Sequence, residues 1–225
     1  MRLVPVLLVT GALATGTLAG GAAAATAPRS QHTAAGTKAA QATLLKTADL
    51  GRGWTARART GAVRGVRLSC AGFQPRQNDL VEVGVAETPS FSGGQVGPYL
   101  AQRTSVFASA THVNRLWDRA VKPGLVNCVA RDVQAISSRG LTVSITSKRM
   151  LPFARVAPRA ALYRVIAAVS SSKQRLTLYF DVVLIANRRT ITQLVLSQYQ
   201  TAPAAKVEES LGRLAARRIG ATPRA

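Results

Sequence analysis

The chain has 225 residues, 30 Lys and Arg against 9 Asp and Glu for a formal net charge of +21, two cysteines, two histidines and 5% aromatic residues. Two thiols far apart with so few histidines make no recognisable zinc ligand set, and neither a metal nor another cofactor is expected. Aromatics this sparse, set mostly inside apolar strand patterns, argue against nucleic acid as a partner, since base readers interleave stacking platforms with basic side chains.

The first element reads as an export signal. Arg2 precedes an apolar run from Leu3 to Leu18, interrupted by Gly11 and Gly16, and small residues then end in an A-x-A site at Ala23 to Ala25. These are the parts of a secretory signal peptide over residues 1–25, with cleavage expected after Ala25. A retained N-terminal anchor is the alternative, although the apolar core is short for a span, which needs about 20 residues. No second long apolar run follows, so no transmembrane segment is expected after cleavage, and the product is expected to be secreted or otherwise extracytoplasmic. Residues 26–41, "TAPRSQHTAAGTKAAQ", are rich in Ala and Thr without an apolar period and read as a disordered leader. The folded domain is expected over 42–219, with 220–225 a frayed C-terminus.

Export bears on the cysteines. An oxidising compartment favours a disulfide between Cys70 and Cys128. It would close a loop of roughly 59 residues, worth about 4 kcal/mol in the chain-entropy model. A catalytic thiol needs a base and a lowered pKa, and His112 is the only histidine partner within 42–219.

Within the domain, "QATLLKTADLGRGW" opens with a short helical stretch that stops at Gly51, and Trp54 follows as a core plug. The spacing of Gly51, Gly53 and Ala56 imitates a dinucleotide fingerprint but follows a helix rather than a strand. "DLVEVGVAE" alternates Leu80, Glu82 and Gly84 against Val81, Val83 and Val85, the period of a half-buried strand. "TPSFSGGQVGP" is broken by Pro and Gly and reads as a loop. A second strand is predicted over "YLAQRTSVFA", followed by a helix capped by Ser109. That helix places Val113, Leu116, Trp117, Ala120 and Val121 on one apolar face, ends at Lys122-Pro123-Gly124, and returns the chain to Cys128.

The second half reads as an antiparallel meander. "LTVSITSKR", "AALYRVIAAVS", "QRLTLYFDVVLIA" and "TITQLVLSQY" are strand candidates, the last two joined by a tight turn at Asn187-Arg188-Arg189. A final helix from Ala204 to Ile219 sets Val207, Leu211 and Leu214 on one side, with Glu208 and Glu209 in its first turns and Arg217 and Arg218 in its last, as the helix dipole favours. Strands in runs with helices between and after them predict an α+β fold, a single twisted antiparallel sheet with helices packed on one face.

The order of "LLKTADLGRGW", a cysteine before the first strand, "TSVFASATHVNRLW", "LVNCV", "YRVIAAV", "LYFDVVLIANRR" and a basic last helix resembles the PknH-like extracellular sensor domains of actinobacterial exported proteins. The likeness covers most of residues 42–219 and rests on spacing and residue type. It implies an α+β fold with a cleft between sheet and helices, a ligand-binding role, and no catalytic residues.

Three functions compete on this sequence. The first is a non-catalytic exported binding or sensor-like domain for an anionic cell-envelope component, a wall polymer or lipid head groups, because a positive field attracts polyanions and is screened over about 10 Å at 0.1 M salt. The excess is spread along the chain, with Arg52, Arg57, Arg59, Arg64 and Arg67 early, Arg149, Arg155, Arg159 and Arg164 in the middle and Arg213, Arg217 and Arg218 late, so no particular arginine is singled out as a binding residue. The second is a wall-acting hydrolase. It would have to use His112 with a serine, although no G-x-S-x-G elbow occurs, or paired carboxylates from Glu82, Glu87, Asp118, Asp132 and Asp181. Against it, Glu82 and Glu87 fall on opposite faces of one strand, Asp118 is placed to pair with Lys122 at i+4, and an arginine on a neighbouring strand would account for Asp181 without chemistry. The third is a structural, partner-binding secreted protein whose charge is incidental.

Overall fold

The computed structural model describes residues 27–57, 65–94, 97–138, 140–172 and 174–221; the expected signal peptide and residues 222–225 lie outside them. In chain order the elements are β1 (Arg29–Ser30), α1 (Ala34–Ala42), β2 (Thr55–Arg57), β3 (Val81–Glu87), β4 (Ser90–Ser92), β5 (Tyr99–Phe107), α2 (Ala110–Ala120), α3 (Leu125–Gln134), β6 (Leu141–Leu151), β7 (Arg159–Ser171), β8 (Arg175–Asn187), β9 (Thr190–Tyr199) and α4 (Ala205–Gly220). The strands form one open sheet in the order β1-β3-β5-β9-β8-β7-β6. All pairs along it are antiparallel except β1 with β3. The α+β class and the single sheet are as the sequence predicts.

The helices cover both faces of that sheet rather than one. Along β8, Phe180, Val182 and Leu184 join Val129 and Val133 of α3 in one core, while Val183 and Ile185 join Leu211, Ala215 and Ile219 of α4 in another. A third cluster seats Val113, Leu116 and Ala120 of α2 on Leu80 and Phe107. The cause is in β8 and β9 themselves, which are apolar on both sides; a strand with two apolar faces needs cover on each. So α2 and α3 lie on one face, and α1 and α4 on the other.

The segment expected to be a disordered leader is part of the fold. Thr33 caps α1 by accepting from the Gly36 N–H at 2.9 Å, and β1 pairs with Val81 and Glu82. A Cβ on Gly36 would lie 2.1 Å from the Val83 carbonyl oxygen, and one on Gly84 2.1 Å from the Gly36 carbonyl carbon. Helix and strand backbones therefore touch, and the Ala- and Gly-rich composition read as low order is what permits that approach. The helix expected near Leu44 consequently lies earlier; only a 3-10 turn, Thr47–Asp49, precedes Gly51, and Trp54 is half-buried against the α4 core.

Smaller differences have local causes. The stretch expected as a loop after β3 contains β4, which pairs with β2 and β5. The return to Cys128 is a helix, α3, whose Cys128 is fully buried. On α4 the buried side is Glu208, Leu211, Gly212, Ala215 and Ile219, and Val207 is exposed; Gly212 admits Phe153, which sets the helix phase. The β8–β9 turn is tight as expected, with Arg188 at φ 50°.

Candidate functional site

On the face that carries α2 and α3 the sheet is not fully covered, leaving a cavity of about 680 Å³. Phe107, Leu116, Phe180 and Ile191 form its apolar floor; Gly65 to Ser69, Ala27 and Pro28 form its rim. The Cys70–Cys128 disulfide, with Cα atoms 5.3 Å apart, ties the chain just beyond that rim to α3. This is the bridge the sequence predicts, and it holds two walls of the cavity together.

A bulge in β3 supplies one polar wall. Register shifts between Glu82 and Gly84, so residues that a regular strand would put on one side are split: Gly84 meets α1 while Glu82 lines the cavity. Glu82 there accepts from His32 Nε2 at 2.9 Å. Arg103 on β5 donates to Glu87 at 2.8 Å, and Arg67 on the rim to Asp132 of α3 at 2.6 Å. The lining thus holds two cations, Arg67 and Arg103, and two carboxylates, Glu82 and Asp132, each with a partner.

Gln193 differs. It stands on β9 opposite Arg103 of β5, lines the cavity and is 6% exposed, and its Oε1 is the one buried side-chain polar atom among the described residues without a hydrogen-bond partner. A Cβ on Gly65 would come within 3.0 Å of that oxygen and 2.3 Å of the Arg103 side chain, so a residue without a side chain is what fits there.

Of the acids and the histidine that the sequence nominates, Glu82 and Asp132 line the cavity and the others lie outside its lining. His112 sits in the first turn of α2, where Nδ1 accepts from the Val81 N–H at 3.2 Å. Asp118 pairs not with Lys122 but with Arg159 at 2.9 Å, because α2 ends at Ala120 and Lys122 is outside the helix. Asp181 on β8 is met by Arg164 directly across on β7, at 2.7 and 2.8 Å. The same guanidinium reaches Glu208 of α4 at 3.0 Å. Burial and the neighbouring Asp181 carboxyl push the Glu208 pKa up to about 8. This cluster lies on the α4 face, away from the cavity.

All nine acidic residues of the chain are engaged with a basic side chain: Asp49 with Arg218, Asp79 with Arg119, Glu82 with His32, Glu87 with Arg103 and Asp118 with Arg159. Asp132 pairs with Arg67, Asp181 and Glu208 share Arg164, and Glu209 pairs with Arg213. Arg119 holds the Asp79 carboxyl below its usual range by hydrogen bonding. Among the described residues no group of three or more His, Cys, Asp and Glu is placed to hold a metal ion, and no helix is long and apolar enough to cross a membrane.

His32, Glu82 as a cavity group and Gln193 are the residues that sequence reasoning missed. The first lay in the supposed leader, the second needed the bulge, and a lone glutamine in "TITQLVLSQY" carries no signal of which side it faces. No protein-family model matches the chain, and no curated protein matches it.

Proposed function

We propose that this chain is an exported, non-catalytic binding domain, sensor-like in kind, which holds a small molecule in the cavity between the sheet and α2/α3. The observation that carries the reading is the cavity itself, apolar in its floor and furnished with a buried polar atom that has no partner. The likeness to PknH-like sensor domains supports it. So does the pairing of every acidic side chain with a basic one, since a general base or a glycosidase pair needs a carboxyl free to exchange protons with substrate; His112, whose Nδ1 is occupied by a backbone N–H, is poorly placed to serve a serine.

The basic exterior supports a second function of the same domain, attraction to an anionic wall polymer or lipid head groups. The arrangement of the cations favours the competing idea that the charge is incidental. Among the described residues, which exclude Arg59 and Arg64, exposed Arg29, Arg52, Arg76, Arg131, Arg149, Arg175 and Arg217 belong to different segments, spread over both faces and both edges of the sheet.

A salt series decides between these. The chain from residue 26 onward is titrated against isolated cell wall, anionic vesicles and neutral vesicles. Binding to an anionic surface that weakens steeply with salt makes the exterior functional, while absence of binding at low salt leaves the charge as solvation and the cavity as the working part.

A further inference from the structure

The fold satisfies one buried glutamine completely and leaves the carbonyl oxygen of its neighbour without a donor. Gln102 of β5, on the α4 face, accepts from Leu45 N–H at 2.7 Å and donates to Thr192 at 3.0 Å and Thr43 at 3.2 Å. Gln193, on the adjacent strand and the opposite face, has a buried Oε1 with no donor. Leaving a buried acceptor unmatched is costly, and a ligand N–H or O–H in the cavity removes that cost.

Charge narrows the ligand further. The two cations and two carboxylates of the lining balance, and each is already paired. An ionic ligand would have to break one of these pairs or be buried without a counter-charge, and both are unfavourable. The floor of Phe107, Leu116, Phe180 and Ile191 offers apolar contact instead.

We infer that the cavity selects an uncharged amphipathic molecule, with an apolar body on that floor and an N–H or O–H group donating to Gln193 Oε1 as that closed-off side chain turns toward it. The inference rests on the cavity being a binding site and assigns its chemical class. It separates the cavity from the basic exterior, which attracts anions independently.

Three related fluorescent probes test it on the disulfide-bonded chain from residue 26 onward. N-phenyl-1-naphthylamine is uncharged, apolar and carries one N–H; its N-methyl derivative lacks the donor; 8-anilino-1-naphthalenesulfonate adds an anion to the same body. The amine is expected to saturate at one equivalent with an affinity indifferent to salt, the N-methyl derivative to bind about tenfold more weakly, and Gln193→Leu to bind the two equally. Equal binding of amine and N-methyl derivative by the native chain would overturn the donor assignment, a result that needs no variant to fold. A sulfonate that competes with the amine, binds more tightly and weakens with salt would overturn the uncharged class while leaving the cavity a binding site. Failure of all three probes to saturate would remove the binding-site reading itself.

Discussion

The two faces of the sheet handle buried polar groups in opposite ways. On the α4 face Arg164, Asp181 and Glu208 close on one another, and Gln102 ties Leu45 and Thr43 to Thr192; every one of those side chains finds its partner inside the protein. On the α2/α3 face the ion pairs lie around a cavity, and Gln193 beside it has a buried acceptor without a partner. A satisfied network fixes packing, whereas an unsatisfied atom beside empty space leaves part of its energy for something else to supply. The polar groups of the first face are architecture; those of the second are candidates for recognition.

Removing the guanidinium that the α4 face is built on should do the most damage. Arg164→Met leaves Asp181, which is fully buried, and Glu208 without their cation, and is expected to cost about 3–5 kcal/mol in urea unfolding. A loss below about 1 kcal/mol would mean that the cluster is not structural. Next is the disulfide, which braces the opposite face. Cys70→Ser with Cys128→Ser is expected to cost about 2–4 kcal/mol, and hydrogen exchange should rise in α3 and around Gly65 to Phe73 before α4. Simultaneous loosening of α4 would show the two faces to be a single cooperative unit.

The paired glutamines give the sharpest contrast at smaller cost. Gln102→Leu strands the Leu45 N–H and should destabilise by about 1–3 kcal/mol, while Gln193→Leu removes an atom that is already unmatched and should change stability by less than about 0.5 kcal/mol or improve it. Equal losses at both positions would erase the distinction between the faces. A separate contrast is in pH dependence. An unfolded glutamate is ionised above its ordinary value of 4.5, but Glu208 in the fold keeps its proton to about 8. Folding therefore takes up a proton between those values, and stability should fall as pH rises through the window. Glu208→Gln should flatten that slope; an unchanged slope would place the proton elsewhere.

What the sequence discloses about this arrangement follows the range of the interactions involved. Strand alternation, the Ser109 cap and the tight turn at Arg188 are local, and each is legible. The partner of Asp181 is legible too, because an acid in the middle of an apolar strand demands a cation from the strand alongside, and Arg164 is that cation. Contacts between remote segments are not legible. Gly36 meets Gly84 across a gap in sequence that no periodicity spans, so the helix that depends on it looks like a tether. On α4 the side turned inward carries Glu208, which meets Arg164, and Gly212, which meets Phe153, together with Leu211, and these remote partners leave Val207 facing outward. The cavity combines both difficulties, since its lining is gathered from the N-terminal residues, the stretch before β3, four strands and two helices.

The outermost strand gives part of the charge a role that needs no ligand. Among the described residues β6 pairs along its length only with β7; Ser138 bridges Leu141 and Ser137 takes the Val143 N–H at its start, and the rest of its outer side, as far as Leu151, meets no further strand. Register slips between Ile145 and Ser147, which interrupts a straight template, and Lys148 and Arg149 stand exposed beyond the slip. Two copies of this chain meeting edge to edge would bring those cations together along a kinked border, and natural sheets resist such self-association with the same two devices. Lys148 and Arg149 thus help keep one molecule from becoming the template for the next.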